Sequence, residues 1–202
     1  MGMCSVRAPA APSNARAAGE KGFSLLELLT VLAIIGIISA VSYVFFFNAL
    51  PNIKADSAMQ LLEVQLRQAR EASVDHRRNV RVTFKGTHEL LTETCNDPGC
   101  AGTTQISDYF LPYTMTYTLF VGIPDTPDLY GNGSAVTFGC TALPCQIMFQ
   151  SDGSVVNFTT GAYKNGTVFM GMTNQSLTAR AVTTLATTGK TRGYRWNGSV
   201  WH

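Results

Sequence analysis

The side chains with the clearest chemical potential in this 202-residue sequence are four cysteines in two pairs of identical spacing. Four residues separate Cys95 from Cys100, and four separate Cys140 from Cys145. Four thiolates are a ligand set for zinc, but structural zinc sites usually contain pairs separated by two to four residues and most often by two. In an oxidising compartment the same thiols form stable disulfides. The choice between the two chemistries therefore depends on where this part of the chain is located.

Signatures of the common enzyme classes are absent from the sequence. There is no G-x-S-x-G, no H-E-x-x-H and no phosphate-binding P-loop, and the three histidines, at positions 76, 88 and 202, are scattered. Asp125 and Asp128, in a proline-rich stretch, would bind a cation only weakly, and a solvated turn is the preferred interpretation. We therefore predict a protein that is not an enzyme and that holds no cofactor and no metal.

The element that decides the location of the cysteines is an apolar run near the N-terminus. Residues 28–47 carry no formal charge, and a helix of about 20 residues spans roughly 30 Å, the thickness of a bilayer core. Ahead of the run stand Arg7, Arg16 and Lys21, against one acid, Glu20. Because a basic flank stays in the cytoplasm, the chain after the run is expected to face outward.

Two ordinary explanations of this run leave part of it unexplained. A cleaved secretory signal has an apolar core of about 7–15 residues and a small-x-small cleavage site, whereas this run is longer and residues 45–48 read FFFN. A plain signal anchor gives no role to Glu27 at its start. Since a carboxylate in a membrane helix costs roughly 2.5–3.5 kcal/mol, it is expected to have a partner.

The third explanation is a family resemblance. The stretch KGFSLLELL, residues 21–29, resembles the prepilin motif of type IV pilins and of the pseudopilins of type II secretion. The resemblance implies that a dedicated membrane peptidase cuts after Gly22 and that the new N-terminus, Phe23, is N-methylated. Glu27, at the fifth mature position, would pair in a filament with the N-terminal amine of a neighbouring subunit, because either charge is costly when it is left buried alone.

Beyond the run, residues 48–78 have small or apolar side chains at helical spacing, which predicts an amphipathic helix packed on a sheet. Pro51 is expected to kink or loosen the connection to the apolar helix. The positions predicted to be buried are Ala58, Leu62, Leu66, Ala69 and Ser73.

From residue 79 the apolar pattern has a period of two, which predicts antiparallel strands. They are expected at 79–84, 88–94, 115–121, 135–139, 145–150, 154–158, 166–172, 177–183 and 192–201, with loops at 95–108 and 122–134. Asn165-Gly166 and Asn197-Gly198 are predicted to form two-residue hairpin turns, and the second would place Tyr194 opposite Trp201.

These patterns predict an α+β fold in four segments. They are a leader peptide (1–22), a transmembrane and assembly helix (23–47), an amphipathic helix (48–78) and an antiparallel β domain (79–202). This layout is similar to the minor pilin and pseudopilin group that includes GspH and FimT. Residues 65–84, at the junction of helix and strand, and the strand and turn at 147–155 resemble the corresponding parts of that group.

The resemblance implies a bacterial inner-membrane protein that crosses the membrane once, with its N-terminus in the cytoplasm and its C-terminal domain in the periplasm. An exported domain favours disulfides over zinc for the four cysteines. Three connectivities are open to them, and we predict the local pairs, Cys95 with Cys100 and Cys140 with Cys145. Cys4 would be removed with the leader.

Charge is unevenly distributed along the chain. Residues 23–152 hold seven basic and twelve acidic side chains, whereas residues 153–202 hold five basic and none acidic. A one-sided basic end is the usual footprint of a polyanion partner. Lys190, Arg192 and Arg195 belong to a stretch similar to the C-terminal Gly-Arg-x-Arg motif of DNA-uptake minor pilins, which implies contacts to phosphates. The alternative is that these charges only keep a terminal strand soluble.

Two functions therefore follow from the sequence. The first is a structural minor pseudopilin of GspH type in the pseudopilus of a type II secretion system. The second is a FimT-like minor pilin that binds DNA during natural transformation. Both have other filament subunits and the prepilin peptidase as partners, and they differ in whether secreted cargo or DNA is the further partner.

Overall fold

The computed structural model describes residues 22–202, so the predicted leader lies outside the described residues except for Gly22. The chain divides into two units, with the boundary after Val44. Its elements are the helix α1 (Leu25–Asp75) and the strands β1 (Val80–Lys85), β2 (Glu89–Cys95), β3 (Thr103–Phe110), β4 (Met115–Tyr117), β5 (Cys145–Phe149), β6 (Val155–Asn157), β7 (Gly166–Met172), β8 (Gln175–Leu185) and β9 (Lys190–Arg195).

Helix α1 begins at a residue type that suits a helix N-terminus. The backbone N–H of Leu28 donates to the carbonyl oxygen of Ser24 over 3.1 Å, which makes Ser24 the cap residue, and serine is among the preferred caps. The helical assignment then runs through Pro51. A proline removes one backbone donor, and here it does not divide the two predicted helical segments into separate helices.

The strands form two antiparallel sheets, so the predicted α+β fold class is confirmed. The order is β3-β2-β1-β5-β6 in the five-stranded sheet and β4-β7-β8-β9 in the four-stranded sheet. Successive side chains of a strand point to opposite faces. In the four-stranded sheet, Val168, Met170 and Val182 belong to the main core, whereas Phe169 and Ala181 join a second cluster with Tyr194, Trp196 and Trp201.

One face of α1 closes the main core. The five positions predicted from helical spacing, Ala58, Leu62, Leu66, Ala69 and Ser73, are at most 2% exposed. The apolar ones share a cluster with side chains of both sheets. Because burial of one leucine side chain contributes about 1.5–3 kcal/mol, the buried Leu62 and Leu66 help to hold the second half of α1 on the sheets.

The prediction of a loop at 95–108 is wrong, because β3 occupies much of it. β3 pairs with β2 at the edge of its sheet and is largely exposed along its length. A strand with so few buried positions has no alternation of apolar and polar residues to reveal it. The strand predicted at 135–139 is reduced to a single bridge, between Val136 and Val168.

Both predicted two-residue hairpin turns are also wrong. Trp201 pairs with Trp196 rather than with Tyr194, since the Asn197 side-chain oxygen accepts hydrogen bonds from the backbone N–H groups of Ser199 and Val200 and closes a longer turn.

At the other predicted hairpin, the side chain of Asn165 accepts a hydrogen bond from the backbone N–H of Ala186 over 2.8 Å. Tyr163 forms a bridge with Val156, in a different sheet from β7. Asn165 therefore connects two sheets. The turn between β7 and β8 instead contains Asn174, which has a φ of 62°.

Candidate functional site

The predicted cleavage and assembly residues lie at the start of α1. Gly22 is exposed, and the Phe23 side chain is 81% exposed. Glu27 lies in the first turn of the helix, where the positive end of the helix dipole favours a carboxylate, and its side chain is exposed. Phe23 and Glu27 are four residues apart, about one helical turn, and both are accessible to a second molecule.

The helix that follows has apolar side chains exposed on all sides. Leu25–Phe47 is long and apolar enough to cross a membrane, judged by length and composition, and it is the one such helix in the described part of the chain. A helix that is apolar all round needs lipid or other protein around it. The exposed apolar side chains of Leu25–Phe47 are therefore expected to be covered by lipid or by other protein chains.

The cysteines are joined in two local pairs. Cys95 is bonded to Cys100 and Cys140 to Cys145, with Cα–Cα distances of 4.6 and 5.7 Å. Both distances lie within the range that a disulfide spans. The thiols are thereby used in cross-links that close short loops next to β2 and β5.

Arg192, one of the three predicted DNA contacts, is paired with an acid. Its Nη1 lies 3.3 Å from Oδ1 of Asp128 and donates to the hydroxyl oxygen of Tyr194 over 3.0 Å. The bond to Tyr194 and the charge of Asp128 raise the pKa of the Arg192 guanidinium. Asp128 also accepts a 2.6 Å hydrogen bond from the hydroxyl of Thr183, so this counter-ion is held in place.

Arg195, the second predicted contact, lies on the opposite face of β9. It is three residues from Arg192, and faces alternate along a strand. Its Nη1 lies 3.3 Å from Oδ2 of Asp56 on α1. The other carboxylate oxygen of Asp56 accepts a 2.6 Å hydrogen bond from Nε of Arg180, so one aspartate pairs with two arginines.

Lys190, the third predicted contact, is exposed at the start of β9. It lines a cleft with Arg67, Arg70 and Glu71 of α1. In that cleft, Arg70 donates from Nε to the carbonyl oxygen of Thr188 over 2.7 Å. The structure therefore does not bring the three predicted DNA contacts to one face: two are paired with acids on opposite sides of the sheet.

Arg180 is the ionic residue that sequence reasoning did not single out. Its side chain is fully buried, and besides Asp56 it donates to the carbonyl oxygens of Leu177, Ala179 and Asn52. Burial lowers the pKa of its guanidinium, against the opposing effect of Asp56. An arginine within an otherwise buried strand indicates that an acidic partner lies nearby in the fold. The sequence alone does not show that this partner is Asp56, 124 residues away.

The two aspartates of the proline-rich loop are also engaged within the protein. The carboxylate of Asp125 accepts 2.7 Å hydrogen bonds from the backbone N–H groups of Thr126 and Gly131. Asp128 pairs with Arg192 and Thr183. Their observed role is to fix the loop and to neutralise an arginine.

Comparison with known proteins identifies the N-terminal segment. Residues 18–43 match the model of the prokaryotic N-terminal methylation motif. This match includes Gly22, Phe23 and Glu27 and most of the apolar helix Leu25–Phe47. No curated protein matches the chain.

Two solved structures are similar in fold. One is the type IV minor pilin FimU of Pseudomonas aeruginosa PAO1, with 14% identity, 73% of this chain and 91% of that chain covered, and a TM-score of 0.48. The other is the minor pseudopilin EpsH from the type 2 secretion system of Vibrio cholerae, with 15% identity, coverages of 72% and 98%, and a TM-score of 0.46.

Proposed function

We propose that this chain, which is type IV pilin-like in its N-terminal segment, is a structural and non-catalytic minor subunit of a bacterial filament. The observation that carries the proposal is the methylation motif at residues 18–43, whose expected cleavage site directly precedes a helix that is apolar on all sides. Such a helix is anchored in the inner membrane before assembly and packs against other subunits afterwards.

The accessible N-terminal groups give this assembly its specificity. Cleavage after Gly22 creates a positively charged amine on Phe23, and Glu27 supplies an exposed carboxylate one turn away. Within a lipid or protein environment an unpaired charge is unfavourable. Pairing of Glu27 with the N-terminal amine of a neighbouring subunit removes that cost and fixes the register between helices.

For the finer assignment, we propose a minor pseudopilin of GspH type in a type II secretion system, with the C-terminal domain in the periplasm. The alternative is a FimT-like minor pilin that binds DNA. Phosphate binding requires accessible positive charges. Arg192 lies beside Asp128 and Arg195 beside Asp56, so a nearby carboxylate offsets part of the positive potential of each. Lys190 is the one residue of the expected set with no salt bridge among the described residues, which favours the pseudopilin.

Processing is tested with a matched pair of glycine substitutions in the native host. Gly22→Ala removes the residue before the cut and is expected to leave an unprocessed chain. Gly36→Ala adds the same methyl group inside the apolar helix, where the new Cβ meets no atom within 4 Å apart from the neighbouring helix backbone, and is expected to be processed normally. Normal processing of Gly22→Ala, read by N-terminal mass spectrometry, would refute the proposal.

The two filament systems are separated by phenotype and by DNA binding. Deletion of the gene is expected to reduce secretion of exported proteins and to leave natural transformation intact. The full chain in detergent is expected to give no DNA gel shift at low salt. A shift that is abolished by Lys190→Ala with Arg192→Ala would instead establish the DNA-binding alternative.

A further inference from the structure

The part of α1 just beyond the apolar run is flanked by two loops of the second unit. Pro51 and Asn52 line a shallow pocket with residues 174–178, which form the turn between β7 and β8 and the start of β8. The loop between β3 and β4 brings Tyr113 to α1, with Lys54 Nζ 5.8 Å from the centre of the tyrosine ring. Both loops therefore lie beside the same turn of α1.

Besides the polar side chains of the pocket, such as Asn52 and Gln175, this region exposes apolar, aromatic and basic ones. Ile53, Tyr113 and Leu177 are 54%, 50% and 55% exposed, and Lys54 is half-buried. We call these four side chains the proximal surface.

The proximal surface also has a positive charge. No salt bridge within residues 22–202 involves Lys54. The nearby acid of α1, Asp56, is paired with both Arg180 and Arg195. One carboxylate thus faces two guanidinium groups, and with Lys54 the region carries more positive than negative charge.

The proximal surface follows closely on the segment that can cross a membrane. Ile53 comes six residues after Phe47, the end of that segment, which is about 9 Å along a helix. At about this distance beyond the apolar segment, the lipid headgroups are expected. Tyrosine and lysine are suited to this layer because their apolar parts enter the lipid while their polar ends remain hydrated.

We propose that the proximal surface lies against the headgroups of an anionic membrane when the chain is inserted as a single subunit. The proposal rests on the membrane anchoring assumed in the proposed function. Ile53 and Leu177 enter the boundary between headgroups and acyl chains, Tyr113 lies at the level of the headgroups, and Lys54 pairs with lipid phosphates. This contact orients the second unit at the membrane before it joins a filament.

The experiment compares two tyrosine-to-tryptophan variants of the full chain, Tyr113→Trp and Tyr163→Trp. Tyr163 is 58% exposed, and its hydroxyl donates a hydrogen bond to the side-chain oxygen of Gln150. Gln150 begins the turn that contains Gly153, and Gly153 lies next to the side chain of Arg70 on α1. Arg70 is about 28 Å along α1 from Pro51. The two variants thus place the same probe, at similar exposure, near the proximal surface and far from it.

Each variant is inserted into vesicles of brominated phosphatidylcholine with phosphatidylglycerol, and quenching of tryptophan fluorescence by bromine is measured. Trp196 and Trp201 are buried and common to both variants, so the difference reports the new probe. We expect quenching of the Tyr113→Trp probe to exceed that of the Tyr163→Trp probe by about twofold or more. Adding Lys54→Gln should reduce the excess with phosphatidylglycerol and not without it.

Flotation of the vesicles separates failure of the inference from failure of its premise. If both variants float and are quenched equally, the surface does not contact lipid and the inference is overturned. The emission of the Tyr113→Trp probe could instead shift with protein concentration and show no quenching by bromine. That result would assign the proximal surface to a contact with a second copy of the chain, and it would also overturn the inference. If neither variant floats, the membrane anchoring itself fails.

Discussion

Arg180 and Asp56 connect strand β8 to helix α1 across 124 residues of sequence, with Nε of the arginine 2.6 Å from Oδ1 of the aspartate. The arginine side chain is fully buried, whereas that of Asp56 is 28% exposed and also meets Arg195. A buried ion pair contributes little net stability when it is intact, but removal of one partner leaves an uncompensated charge. The carboxylate of Asp56 is therefore more important to the fold than its partial exposure suggests.

Asp56→Asn is expected to destabilise the second unit by about 3–5 kcal/mol, the typical cost of breaking a buried pair. The amide keeps the shape of the side chain but leaves the Arg180 charge without an anion. The measurement is reversible urea unfolding of the full chain in detergent, followed by near-ultraviolet circular dichroism.

Arg195→Ala is the matched control, because it removes the other arginine from the same aspartate. Arg195 is 51% exposed, and exposed ion pairs contribute about 0–1 kcal/mol. Equal destabilisation by Asp56→Asn and Arg195→Ala would show that the buried pair has no special weight.

Gly189 is required by close packing as well as by its backbone conformation. Its φ is 62°, and a Cβ at this position would lie 2.2 Å from the backbone oxygen of Gly153. Gly161 has a similar φ of 65° but open space around the same position. Gly161→Ala should therefore cost only the left-handed conformation, about 1–2 kcal/mol.

Gly189→Ala is expected to cost at least 2 kcal/mol more than Gly161→Ala, on the order of the cost of overpacking a filled site. The backbone oxygen of Gly153 cannot move aside as a side chain can. Thermal unfolding of the two variants measures the difference, and identical midpoints would contradict the packing argument.

Elements with one regularly buried face could be predicted from the sequence, whereas an exposed edge strand and turns set by side-chain hydrogen bonds could not. The buried face of α1, from Ala58 to Ser73, follows from helical spacing alone. The edge strand β3 was not predicted because neither of its faces is buried, and only a strand with one buried face shows alternating apolar and polar residues. The predicted hairpin registers were wrong because an asparagine side chain at each site accepts a hydrogen bond from a backbone N–H outside the Asn-Gly pair. Asn165 accepts from Ala186, and Asn197 accepts from Ser199.

The candidate site shows the same division. The N-terminal motif is contiguous, so Gly22, Phe23 and Glu27 could be chosen from sequence. The excess of positive charge at the C-terminal end could be counted from the sequence, but the count does not show that Arg192 and Arg195 each have an aspartate beside them in the fold. Asp56 and Asp128, which pair with Arg180, Arg195 and Arg192, come from distant segments. Neighbours of this kind are defined only when the chain is folded.

The two disulfides are expected to be local in the native protein. Digestion without reduction should yield peptides that link Cys95 to Cys100 and Cys140 to Cys145. Each closes a short loop, for which the chain-entropy model gives about 2 kcal/mol, so alanine replacement of either pair should lower stability by about this amount. Mass spectrometry that finds Cys95 linked to Cys140 would contradict both the pairing and the small effect.

Acid sensitivity is expected to involve Glu93 on β2. Its burial raises the pKa of the carboxyl, but the Thr103 hydroxyl, at 2.8 Å, and the Arg81 guanidinium, also at 2.8 Å, outweigh this, and the pKa lies below its ordinary value of 4.5. The folded state therefore binds fewer protons than the unfolded state near this pH. The resulting stabilisation is complete above about pH 4.5 and declines as the pH falls through the folded-state pKa.

Glu93→Gln removes this titration, so the free energy of unfolding of the variant should fall less steeply below pH 4.5 than that of the wild type. Thr103→Val keeps the carboxylate and Arg81 but removes one hydrogen bond, so its slope should be intermediate. The measurement is urea unfolding of the three proteins in a pH series from neutral to acidic. Parallel loss of stability in wild type and Glu93→Gln would show that this carboxylate does not contribute to the acid sensitivity of the fold.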